Sequence, residues 1–140
     1  MEALKLFSIK VLLPIPWGDM DALKHVNNVN YFRYFEQARS EYYKLSGCFG
    51  LFESTGINAV IKSISCQFLL PLTFPDEIEV GARISQILPE GFIMEHYILS
   101  KMKTLIAFSE IEHTTVSAST GKPTLLPDII IKAIEKIEKN

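Results

Sequence analysis

Apolar side chains fall at every second position in Phe7, Ile9, Val11 and Leu13, the period of a half-buried strand. Pro14 and Pro16 end that run, because proline cannot donate to a ladder. A polar stretch through Asn30 reads as loop, with Asn27, Asn28 and Asn30 all suited to cap a following helix. From Tyr31 to Leu45 the period changes. Tyr31, Phe35, Ala38, Tyr42 and Leu45 recur at spacings of three and four, one face of a helix, and Phe32 and Tyr43 broaden the stripe. Ser46-Gly47 is the expected stop, with glycine free to take a left-handed conformation.

Beyond Gly56 the period returns to two. Val60, Ile64, Cys66, Phe68 and Leu70 alternate with Ile61, Ser63, Ser65, Gln67 and Leu69 until Pro71. After the Thr73-Phe74-Pro75-Asp76 turn, Ile78, Val80, Ala82 and Ile84 alternate with polar neighbours. Pro89-Glu90-Gly91 reads as a hairpin turn between that strand and another over Phe92–Ser100. A further strand spans Leu105–Val116, and Ser119-Thr120-Gly121-Lys122 forms a tight turn. Pro127-Asp128 opens a short last helix on which Ile130, Ile134 and Ile137 share a face. Strand, loop, long helix and then consecutive strands on short turns imply an α+β fold, an antiparallel sheet with the long helix on one face. The edges and second face of such a sheet make a homo-oligomer the expected remedy, a homodimer or homotetramer.

The chain has 140 residues, room for one domain over 1–140 with a real core. A formal net charge of −2 offers no bulk attraction for nucleic acid or an anionic membrane. Cys48 and Cys66 lie in unlike contexts and make no CxxC pair, against a disulfide-stapled secreted scaffold. Lys5 and Lys10 break any leader-like apolar stretch, and no run nears the roughly 20 apolar residues of a membrane span. A cytoplasmic protein is expected.

Chemistry concentrates in one place. Between Pro16 and Tyr31 lie Asp19, Asp21, His25, Asn27, Asn28, Asn30 and Tyr31, just ahead of the helix. Carboxylates there can activate water or attack a carbonyl, and helix N-terminal amides can hold an oxyanion. The same residues also suit plainer roles: an Asx-turn for Asp21, caps for Asn27 and Asn28, core packing for Tyr31. His96 and His113 adjoin Glu95 and Glu112 in expected strands, where neighbours face opposite ways, so no metal site is expected. Neither a glycine-rich phosphate loop nor a serine elbow occurs.

Gly18-Asp19-Met20-Asp21 after the first strand, then Ala22 and His25-Val26-Asn27-Asn28-Val29-Asn30-Tyr31, resembles the hot-dog-fold acyl-CoA thioesterases, in particular the 4-hydroxybenzoyl-CoA thioesterase branch. Tyr34-Phe35-Glu36-Gln37-Ala38-Arg39, Phe68-Leu69-Leu70-Pro71-Leu72, Asp76-Glu77-Ile78-Glu79-Val80 and Gly121-Lys122-Pro123 extend the likeness over nearly the whole chain. The resemblance implies about five antiparallel strands wrapped around one central helix. It implies Asp21 as general base or nucleophile in thioester hydrolysis, with the amide near Asn28 polarising the carbonyl. His25, Asn27 and Tyr31 are the expected substrate contacts, and Asp19 and Glu36 are secondary carboxylates. Glu36 stands about two turns into the helix, where another branch of the fold carries its catalytic glutamate.

The expected substrate is a thioester of coenzyme A or of an acyl-carrier protein, with no cofactor beyond that coenzyme A. Lys24, where many relatives have glycine, and Ile15-Pro16-Trp17, where they carry charged or hydroxylated residues, depart from the pattern. Two other readings stay open: a hydratase or dehydratase on the same fold, whose Gly-Asp-x-Asn-Pro motif is absent, and a non-catalytic acyl-thioester-binding module.

Overall fold

The computed structural model describes residues 2–139. A 3-10 helix, Glu2–Leu6, precedes strand β1, Ile9–Pro14, and a second 3-10 turn, Trp17–Asp19. Helix α1 spans Asn28–Ser46 and helix α2 Cys48–Thr55. Strands β2 (Ile57–Phe68), β3 (Glu77–Leu88), β4 (Gly91–Leu99) and β5 (Leu105–Ser117) follow, and helix α3, Asp128–Glu138, ends the chain. The strands form one antiparallel sheet in the order β1-β3-β4-β5-β2, curved around α1.

Helix α1 starts where Asn27, in extended conformation, accepts a hydrogen bond from Val29 N–H at 3.0 Å. It ends at Gly47, whose φ of 82° is the left-handed conformation glycine tolerates. Its buried face is Tyr31, Tyr34, Phe35, Ala38, Tyr42 and Tyr43. The expected stripe differs in two places. Leu45 is exposed because it lies in the last turn, where nothing in the described chain covers it. Tyr34 is buried because its hydroxyl reaches a carboxylate in the preceding loop.

Cross-strand partners point to the same face, so the register defines the two sides of the sheet. Ile9, Val11 and Leu13 of β1, with Ile78, Val80, Ala82 and Ile84 of β3, line the concave side under α1. Phe7 departs from the expected alternation: it precedes β1 and packs on the convex side with Leu4, Tyr97 and Leu99, its ring edge-on to Tyr97 at 4.9 Å.

A register shift between Ile61 and Ser63 changes the reading of β2 as well. Ile61 pairs with His113 and Ile64 with Ile111, so both isoleucines share the concave face, whereas Val60 opposes Thr114 on the other side. The extra residue of a bulge inverts parity on one flank, and a strict period of two cannot register that. Helix α2 has no counterpart in the sequence reading, being eight residues long and interrupted by Gly50. Helix α3 has the expected face, with Ile130 and Ile134 buried.

Candidate active site

The loop from Ile15 to Asn27 is built by its own backbone. Ile15 N–H donates to Asp76 O at 3.0 Å, and Asp19 N–H donates to Pro16 O at 3.1 Å. Met20 and Val26 form an antiparallel bridge, and beyond it Asp21 N–H donates to His25 O at 2.8 Å. Lys24 N–H returns to Asp21 O at 3.0 Å, closing a tight turn in which Lys24 takes a φ of 65°. A left-handed position favours glycine, which is the physical content of the departure at Lys24. Val26 N–H donates to Leu72 O at 2.7 Å, drawing the segment after β2 against the start of α1.

Asp21, His25, Asn27, Asn28 and Tyr31 line one open cleft of about 380 Å³. Phe68, Leu69, Leu70 and Pro71 complete its lining. Asp21 is exposed, and its Oδ1 accepts from Leu23 N–H at 2.8 Å, an Asx-turn. Its Oδ2 has no hydrogen bond among the described residues. Around the start of α1, the N–H groups of Val26, Asn27, Val29 and Asn30 are spent on Leu72 O, Asp19 O, Asn27 Oδ1 and Asn27 O. The Asn28 N–H alone in that stretch has no partner among the described residues, and it sits at the positive end of a 19-residue helix. The site therefore offers a carboxylate oxygen and a peptide N–H on one cavity.

The other expected residues divide clearly. Tyr31 serves both readings, buried in the core against Phe68 at 5.1 Å between ring centroids and also lining the cleft; burial pushes its phenol up. His25 braces the loop through its carbonyl, while its side chain is exposed in the cleft. Asn27 is the helix cap as well as a wall. Asp19 is outside the cleft: its Oδ2 accepts from Tyr34 hydroxyl at 2.7 Å, and its carbonyl from Asn27 N–H and the Asn30 side chain. Glu36 lies on the exposed side of α1, away from Asp21. Phe68, Leu69 and Leu70 are wall residues that sequence reasoning passed over as strand. Their signal was three large apolar residues running into Pro71, with no strand left to bury them. Among the described residues no group of three or more His, Cys, Asp or Glu side chains converges on a metal-sized site.

Residues 15–134 match the model of the thioesterase-like superfamily. An acyl-CoA thioesterase YbgC of Helicobacter pylori is 28% identical over 129 residues, covering 86% of this chain and 96% of the relative. A thioesterase of Thermus thermophilus, solved in complex with coenzyme A and Zn, superimposes with a TM-score of 0.83 at 25% identity, over 96% of this chain and 97% of that one. A DHNA-CoA thioesterase of Staphylococcus aureus shares the fold, with a TM-score of 0.82 at 18% identity, over 94% and 91% of the two chains. The chain belongs to the thioesterase-like superfamily and has its hot-dog fold. It is a thioesterase.

Proposed function

We propose that this enzyme hydrolyses an acyl thioester of coenzyme A to the free acid and thiol, with Asp21 as the working carboxylate and the Asn28 N–H as the oxyanion donor. The observation that carries the reading is the pairing, on one cleft, of an uncommitted Asp21 oxygen with an uncommitted amide at the start of α1. As general base, Asp21 takes a proton from water, and the oxygen attacks the thioester carbonyl carbon. Negative charge moves to the carbonyl oxygen, where the Asn28 N–H and the helix dipole stabilise it. The C–S bond then breaks, the sulfur takes the proton, and the acid leaves. As nucleophile, Asp21 forms an anhydride that water hydrolyses. His25, Asn27 and Tyr31 are the proposed substrate contacts. The chemistry asks for no cofactor beyond the coenzyme A of the substrate, and acyl-carrier protein is the alternative carrier.

Asp21→Asn separates catalysis from loop structure, because asparagine Oδ1 still accepts from Leu23 N–H. Thiol release is expected to fall by at least about a hundredfold with the thermal midpoint unchanged. Undiminished turnover in that variant sinks the assignment.

The assembly we infer is a homodimer or a pair of dimers. Its support is β2, an edge strand of twelve residues whose concave side leaves Ile61, Ile64 and Phe68 each more than 40% exposed. Light scattering giving a monomer mass would refute it. We place the enzyme in the cytoplasm, a reading supported by two free thiols. No described helix is long and apolar enough to cross a membrane.

A further inference from the structure

Asp21 lines two cavities, the cleft it shares with Asn28 and a second one. The second, of about 430 Å³, is lined by Trp17, Gly18, Met20, Asp21, Lys24 and Phe74 and does not include Asn28. None of these residues except Asp21 has a part in the chemistry described above. Trp17 leaves 71% of its surface in solvent and Phe74 42%, an unfavourable placement for two large aromatic side chains. Their backbones are anchored: Trp17 opens the 3-10 turn that leads into the loop, and Phe74 N–H donates to Met20 Sδ at 3.5 Å.

Lys24 stands at the apex of the loop in the left-handed conformation that disfavours it, and its ammonium has no ion-pair partner among the described residues. Lys103, in the turn between β4 and β5, shares that φ of 65°, so what sets Lys24 apart is its place in the wall of a cavity. The apolar walls, the unpaired cation and the shared Asp21 describe one kind of occupant, with an apolar body, a negative far end and its reacting carbon at the carboxylate.

We propose that the Trp17–Met20–Phe74 cavity is the acyl subsite, and that Lys24 makes it select acyl groups ending in a carboxylate. The inference rests on the hydrolytic reading of Asp21. The thioester carbonyl sits at Asp21, the carrier arm runs into the Asn28 cleft, and the acyl body lies against the indole and phenyl faces. The Lys24 ammonium pairs with the terminal carboxylate.

Trp17 is the single tryptophan of the chain, so its emission reports this cavity directly. The ligands are the thioether analogues of adipyl-CoA and hexanoyl-CoA, in which a methylene replaces the carbonyl. Both should shift Trp17 emission to the blue and shield it from acrylamide. The carboxylated one should bind about fivefold more tightly, the scale of a partly exposed ion pair. Lys24→Gly, which also relieves the backbone, should abolish that preference, and Lys24→Glu should reverse it.

Trp17 emission unmoved at saturating thioether, or a preference unaltered in both Lys24 variants, overturns the proposal. Thiol release from the parent esters is measured alongside. Turnover with Trp17 unmoved defeats the subsite and leaves hydrolysis standing. A perturbed Trp17 and a Lys24-dependent preference without turnover do the reverse.

Discussion

The Tyr34 hydroxyl donates to Asp19 Oδ2 at 2.7 Å, fastening the second turn of α1 to the loop two residues before Asp21. Burial first, and then this bond, raise the phenol well above its ordinary pKa, so Tyr34 is a fixed donor across the working pH range. The same aspartate accepts from Asn27 N–H and the Asn30 side chain through its carbonyl, so three bonds hold the loop to the helix start. Tyr34→Phe removes one of them without changing volume. It should cost about 2 kcal/mol of stability, the range for a hydrogen bond to a charged group, measured by urea unfolding. Hydrolysis should fall as well, chiefly in kcat, because Asp21 and Asn28 lose their fixed separation. An unaltered kcat would show that the clasp has no bearing on the site.

That clasp marks what a linear pattern can and cannot carry. The central helix, the succession of strands along the chain and the grouping of Asp21, His25, Asn27, Asn28 and Tyr31 were legible, because periodicity and local spacing encode them. The order within the sheet was not, since β2 pairs with β5 at the far edge instead of with its successor β3. Tyr34 to Asp19 was not, since a tyrosine off the main stripe gives no sign of a partner fifteen residues back. Nor was the β2 bulge, which requires the β5 register to be seen. The second cavity escaped for a related reason: Phe74 comes from the turn after β2 and meets Trp17 only through the fold.

Lys24 gives a stability prediction apart from its proposed role in binding. With a φ of 65° it occupies a conformation costing an L-residue roughly 1–2 kcal/mol relative to glycine. Part of that is offset by the greater freedom of glycine in the unfolded chain. Lys24→Gly should therefore gain about 0.5–1 kcal/mol in urea unfolding, whereas Lys24→Ala should gain nothing. Equal effects from the two substitutions would rule out the backbone as the cause.

Glu138, near the end of α3, joins three elements. Its Oε2 accepts from the Tyr42 hydroxyl of α1 at 2.6 Å and from Ile84 N–H of β3 at 2.9 Å. Ile84 borders the register shift of β3 against β4, where a backbone donor would otherwise lose its ladder partner. Glu138→Ala leaves both donors without that acceptor and should cost about 2–3 kcal/mol, more than a surface carboxylate contributes. Glu138→Gln, which keeps an acceptor oxygen, should recover at least half of the loss. If alanine and glutamine behaved alike, the helix would be held by its apolar face, Ile130, Ile134 and their partly buried neighbours, and not by Glu138.

His96 and His113 predict an acid response. Both are buried under α1, His96 stacked on Phe35 at 5.2 Å and His113 on Phe92 at 4.8 Å. Burial first, and then the Arg39 guanidinium, lower their pKa from 6.5 to about 3 and about 4 respectively. Unfolded, each takes a proton near its ordinary value; folded, neither does until those lower values are reached. Stability is therefore complete above about pH 6.5 and falls as acid is added, by up to about 1.4 kcal/mol per pH unit per histidine. The fall from His113 ends near its folded value of about 4, and that from His96 near about 3. The two nitrogens of His113 have no hydrogen-bond partner among the described residues, while His96 Nδ1 lies 3.1 Å from Gly81 O. His113→Phe keeps a ring against Phe92 and removes both orphaned atoms. It should raise stability at pH 7 by about 1 kcal/mol. It should also roughly halve the decline between pH 6 and 5, to which the two histidines contribute nearly equally. A decline as steep as that of the parent would place the acid sensitivity elsewhere in the chain.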